Sequence, residues 1–137
     1  MGTVYTEITL KNAGDIVRAQ YGHITEKEIR ETTVRALVDT GAGTLVINEP
    51  VREKLGLAIK GLRGAELADG TKQVCRLTEP VEIHWKDRHT ACLALVVPGA
   101  GDVLLGAIPL EDMDLIVDPR RRELIGAHGD EVLCLVK

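Results

Sequence analysis

The chain has 137 residues, a formal net charge of -4, and 45% hydrophobic against 28% charged residues, the balance of a soluble globular protein of one domain. A pI near 5.6 and a scarcity of aromatic rings (Tyr5, Tyr21 and Trp85, with no Phe) argue against a nucleic-acid partner, which would want a basic face or a stacking platform. Cys75, Cys92 and Cys134 are widely spaced with no Cys-x-x-Cys pair, His23, His84, His89 and His128 lack metal-ligand spacing, and no apolar run approaches a membrane span. With no targeting segment either, the expectation is a cytoplasmic protein with free thiols, no metal, no cofactor and no membrane partner.

Val4 to Leu10 alternates roughly and reads as a strand, running into a loop at Asn12-Ala13-Gly14-Asp15. Ile24 to Ile29 is charged and ambiguous. From Thr32 the alternation sharpens: Thr32, Val34, Ala36 and Val38 share one face, and Thr33, Arg35, Leu37 and Asp39 the other. After Leu45-Val46-Ile47 comes a helix of roughly two turns, with Asn48 as cap, Pro50 in the first turn, Val51 and Leu55 on one face and Gly56 as the left-handed stop. From Leu57 to Val97, strands and turns alternate. Ala65 to Ala68 and Thr71 to Cys75 flank Asp69-Gly70, a two-residue hairpin signal. Pro80 breaks the run, and Val81 to Trp85 and Thr90 to Val97 flank Lys86-Asp87-Arg88 as a second hairpin. Pro98 to Asp102 is a loop. Val103-Leu104-Leu105-Gly106 is an apolar strand halted by glycine, Ala107 to Met113 a short helix, and Leu115-Ile116-Val117 a strand. Pro119-Arg120-Arg121-Arg122 is a solvated turn into Glu123-Leu124-Ile125, and Val132 to Val136 adds a final strand. Many short strands with two small helices predict a mostly-β barrel or sandwich.

The candidate chemistry sits at Val38-Asp39-Thr40-Gly41-Ala42. An acid ends an apolar strand and is followed at once by a residue with a hydroxyl, a glycine that lets the backbone turn, and a small residue. A carboxylate fixed on a rigid turn in apolar surroundings is a candidate general acid or base; the bland alternative is an ordinary Asx turn with a solvated Asp.

Ala36 to Ala42, then the hairpin at Leu67-Ala68-Asp69-Gly70-Thr71, then Val103-Leu104-Leu105-Gly106, stand in the order found in retropepsin-like aspartic proteases. The chain resembles the small prokaryotic members more closely, with the Leu-Leu-Gly element running into a short helix and a Val-Asp-Pro hairpin over Ile108 to Leu124. The resemblance covers most of residues 4–125. It implies a mostly-β, closed-barrel retropepsin-like fold with one or two short helices, in a single domain spanning 1–137. The extension at 1–30 and the tail at 126–137 have no secure retroviral counterpart. It further implies a homodimer acting on a polypeptide, since the chain holds one Asp-Thr-Gly and half a site. Asp39 would be the catalyst and Thr40, Gly41 and Ala42 the supporting loop. Ala68, Asp69 and Gly70 would form a flap, and Leu104, Leu105 and Gly106 a strand that orients the loop. No metal or cofactor is implied.

Retroviral relatives carry an acid just after Asp-Thr-Gly-Ala and an Arg just after the second glycine, which pair; here those positions are Gly43 and Ala107, so both partners are missing together. Val46, Leu67, Val97 and Ile108 are candidate pocket walls, with core packing the commoner role for such residues. Three readings stay open: a homodimeric aspartic endopeptidase, a non-catalytic peptide-binding or dimerisation module that keeps the fold and can bind extended peptides by strand addition, and an unrelated β domain with an accidental motif.

Overall fold

The computed structural model describes residues 2–136. Its elements are β1 (Tyr5–Asn12), α1 (Ala13–Gln20), a 3-10 turn (Glu26–Glu28), β2 (Glu31–Val38), β3 (Leu45–Asn48), α2 (Glu49–Leu55), β4 (Ile59–Glu66), β5 (Lys72–Thr78), β6 (Val81–Trp85), β7 (Arg88–Cys92), β8 (Ala94–Val97), β9 (Val103–Leu105), α3 (Ala107–Asp112), β10 (Leu115–Asp118) and β11 (Glu123–Gly126). The fold is mostly β, as expected. Nine strands form one sheet curled as a half-barrel, in the order β4-β5-β8-β3-β9-β2-β1-β6-β7, while β10 and β11 pair separately. Among the described residues no helix is long and apolar enough to cross a membrane.

With no Phe available, aliphatic side chains fill the interior: Ile8, Leu10, Leu45, Ile47, Leu55, Leu57, Ile83, Leu105 and Met113 are fully buried. Trp85 closes the end of β6, its buried indole N–H donating to the Thr6 hydroxyl at 2.9 Å. The helix α2 forms where the sequence places it. Asn48 accepts from the Val51 amide at 2.9 Å, Gly56 turns left-handed at φ 62, and Val51 and Leu55 face the core.

Four local expectations are corrected. The segment after β1 is the helix α1 rather than a loop, so the chain has three short α-helices where one or two were expected. Asn12 is its cap, accepting from the Asp15 amide at 3.0 Å, and its own amide group donates to Leu55 O at 2.9 Å. Asp15, 1% exposed, accepts from the backbone N, Nε and Nη2 of Arg30 at 3.0, 2.8 and 2.9 Å, and from Arg18. The hydrogen bonds from Arg30 hold its carboxyl well below the usual carboxylate range.

The hairpin between β4 and β5 closes through three residues, Ala68-Asp69-Gly70, rather than two. Gly70 N donates to Leu67 O and Leu67 N to Thr71 O, with Gly70 left-handed at φ 85, so a type I turn is followed by a bulge. The run Thr90 to Val97 splits in two. β7 pairs with β6 through a tight turn at Lys86-Asp87, with Arg88 already in the strand, whereas β8 pairs with β3 and β5.

No strand forms at Val132 to Val136, which pairs with no strand among the described residues; Val132, Leu135 and Val136 are 52%, 84% and 84% exposed. The preceding stretch is pinned instead by Arg88, itself buried, which donates to Met113 O at 2.9 Å, Asp114 O at 2.8 Å, Gly129 O and Glu131 O. Asp114 adds a second hold, accepting from His128 Nδ1 at 2.7 Å and Leu133 N at 3.1 Å.

Candidate active site

β2 and β3 are consecutive in sequence but not neighbours in the sheet, because β9 lies between them, parallel to β2 and antiparallel to β3. The loop 39–44 therefore has to cross the C-terminal end of β9. That crossing sets the geometry of Asp39. Leu37 and Val38 stand in register with Leu104 and Leu105, and Asp39 N donates to Leu105 O at 3.0 Å. Ala42 N donates to Asp39 O at 3.1 Å and closes the turn.

The first amides of α3 have no partners within their own helix. The loop supplies them: Ala107 N donates to Ala42 O at 2.8 Å and Ile108 N to Gly43 O at 3.1 Å. The far side of the loop is tied down by Thr44, whose hydroxyl donates to Leu93 O at 3.1 Å. Gly106 is buried at the centre of this crossing, where a side chain would run into the loop's own backbone.

Asp39 is half-buried, while Thr40 and Gly41 are exposed at the tip of the loop. Asp39 Oδ1 accepts from Gly41 N at 2.9 Å, and among the described residues no second donor reaches the carboxylate. One oxygen is thus oriented by the loop. A cavity of about 740 Å³ lies between α3 and the C-terminal segment, lined by Ile108, Asp114 and Leu133 among others, away from Asp39. Asp39 therefore stands half-buried at the base of an exposed loop tip.

The structure thus sets the Asp39-Thr40-Gly41-Ala42 loop against the Leu104-Leu105-Gly106 segment, through the bond from Asp39 N to Leu105 O and the close approach of Gly106 to the Ala42 and Thr44 carbonyls. Ala68, Asp69 and Gly70 stand apart at the end of the β4–β5 hairpin. No hydrogen bond among the described residues joins them to the loop, and Asp69 stiffens its own turn by accepting from Thr71 N at 2.9 Å and Thr71 Oγ1 at 2.6 Å. The Thr71 hydroxyl and amide lower the Asp69 carboxyl from its ordinary value. Of the candidate pocket walls, Val46 is core, Val97 half-buried, and Leu67 and Ile108 are 41% and 61% exposed. The anchoring roles of Gly43, Thr44, Ala107 and Ile108 escape the sequence reading. They become visible only when β9 is known to split β2 from β3.

The family model described as "gag-polyprotein putative aspartyl protease" matches residues 7–112. Among solved structures, the chain is similar to EIAV protease complexed with the inhibitor HBY-793, with 23% sequence identity, coverage of 81% of this chain and 88% of that one, and a TM-score of 0.57. That likeness speaks for the fold. No curated protein matched in sequence. Since the family model spans the Asp39 loop, the hairpin and β9, the chain belongs to the retropepsin-like aspartyl protease family and is a hydrolase of the aspartic endopeptidase type.

Proposed function

We propose that two copies of the chain meet about a twofold axis, place their Asp39 carboxyl groups side by side and cleave peptide bonds in a polypeptide. The observation that carries this reading is the presentation of Asp39. Its loop is anchored on three sides and Gly41 orients one carboxylate oxygen, in a chain that holds a single Asp-Thr-Gly and so half of a two-carboxylate site. A second copy completes the site.

Two like charges in so small a space repel, so the pair holds one proton between its carboxyl groups, as is general for this class of enzyme. The ionised member takes a proton from a bound water, which attacks the peptide carbonyl carbon. The protonated member donates to the carbonyl oxygen, giving a gem-diol intermediate; return of a proton to the amide nitrogen then releases the two fragments. Thr40, exposed beside Asp39, bonds its mate across the axis, and Gly41 and Ala42 line the cleft. Leu104, Leu105 and Gly106 hold the loop from below. The hairpin tip at Ala68, Asp69 and Gly70 folds over the substrate and excludes water. Unpaired cysteines at positions 75, 92 and 134 suit a reducing, cytoplasmic setting.

The test is incubation of an unstructured polypeptide with wild type and with Asp39→Asn between acidic and neutral pH. The expected result is cleavage by the wild type and none by the variant. Equal cleavage by both proteins, or peptide binding without turnover by either, overturns the reading.

A further inference from the structure

Neither His84 nor His89 takes part in the Asp39 site, and their spacing along the chain suggests no shared ligand. The turn at Lys86-Asp87 brings them together. It closes Trp85 against Arg88, so His84 on β6 stands directly opposite His89 on β7. Their ring centroids lie 5.6 Å apart, with the planes 20° from parallel. β7 is an edge of the sheet, at the end away from the β4–β5 hairpin. The pair is open to water there: His89 is exposed and the His84 side chain is 30% exposed.

A cross-strand stack of two rings accounts for the spacing but needs no carboxylate. Glu82, two residues back on the same face of β6, has Oε1 2.6 Å from His84 Nε2. An ionised carboxylate only accepts, so the neutral ring carries its proton on Nε2 and keeps its lone pair on Nδ1. An imidazole held by a carboxylate through one nitrogen, with the other nitrogen free, is the form in which histidine ligates a metal. Lys86, the neighbouring cation, is drawn to the opposite face, its Nζ lying 4.7 Å from the Trp85 ring centroid.

We propose that His84 and His89 form a structural site for a divalent transition ion on the β6–β7 edge, with Glu82 as the outer partner that fixes the His84 tautomer. The ion is of the class that imidazole prefers, Zn²⁺ or the more tightly held Cu²⁺. The spacing suits it. With metal–nitrogen bonds of about 2.0–2.1 Å and tetrahedral angles, two imidazole centroids on one ion stand about 5 Å apart. Rotation of the two side chains therefore supplies both lone pairs. Among the described residues no group of three ligating side chains is preassembled, so water completes the shell. The ion staples β7 to β6 one residue from Arg88, the side chain that pins the C-terminal segment.

The experiment titrates the metal-free, full-length chain with ZnCl₂ at neutral pH and follows the ring C–H resonances of all the histidines. His84 and His89 should shift together and saturate at a single ion per chain, while His23 and His128 stay in place. His84→Ala and His89→Ala should each weaken binding by at least about tenfold. Glu82→Gln should weaken it by about tenfold, the lower end for an outer partner. With CuCl₂ instead, electron paramagnetic resonance should show two imidazole nitrogens on the ion, and one in either histidine variant. Zinc held as tightly by His89→Ala as by the wild type overturns the site. So do shifts centred on His128 beside Asp114, or a copper spectrum with a single nitrogen in the wild type. If a histidine variant does not fold, the wild-type shifts and copper spectrum decide.

Discussion

A Cβ on Gly106 would stand 2.2 Å from the carbonyl oxygen of Thr44 and 2.6 Å from that of Ala42. Both obstacles are backbone, on either side of the point where the Asp39 loop crosses β9, so neither can swing aside as a flexible side chain would. Gly106 is the floor on which the loop rests.

Gly106→Ala is accordingly expected to lift the loop and cost about 2–3 kcal/mol, the upper part of the range for overpacking, since backbone has to move. Cleavage should fall by at least about tenfold, because sub-ångström misplacement of a catalytic group is expensive. Urea unfolding and peptide hydrolysis measure the two effects. Full activity with unchanged stability would mean that the loop does not depend on this contact.

Asp15 couples the fold to acid. Its folded pKa is depressed by Arg30, whereas in the unfolded chain it titrates near the ordinary value of about 4. Between those two values the unfolded state binds more protons, so stability rises with pH there. The contribution is complete above about pH 5 and is lost as pH falls toward the folded value. Glu49, lowered to about 2 by hydrogen bonds from Arg52 and Arg76, acts with the same sign. Asp15→Asn should cost about 2–3 kcal/mol at neutral pH, less than a fully buried pair, because Arg18 and Arg30 are 52% and 45% exposed and can turn to water. Between about pH 5 and pH 3, the urea midpoint of the variant should fall less than that of the wild type. Parallel profiles would remove Asp15 from the account of acid sensitivity.

Local signals were the legible ones. Asn48, Pro50 and Gly56 bound α2 within a few residues, and their chemistry is complete inside that window. The strand-to-loop pattern at Asp39 and the glycine at the hairpin tip are legible for the same reason. Asn12 shows the limit: Asn-Ala-Gly-Asp is as good a turn as a cap, and what selects the cap is Arg30, far along the chain, which closes on Asp15. The tail misleads in the opposite way. Val132 to Val136 has strand composition, but a strand needs an edge to join, and the stretch before it is spoken for by Arg88 and Asp114. Within the site, Asp39 and Gly106 announce themselves by motif. Thr44 does not, because its partner, Leu93, is brought to it only by sheet order.

The sharing of one site by two Asp39 carboxyl groups is tested most directly by subunit mixing. Wild type and Asp39→Asn are combined at fixed total concentration, allowed to exchange, and assayed across the mixing ratio. If each site needs an intact Asp39 from both chains, activity follows the square of the wild-type fraction and falls to about one quarter in an equal mixture. A straight line through about one half would show that each chain works alone, and would contradict the shared site.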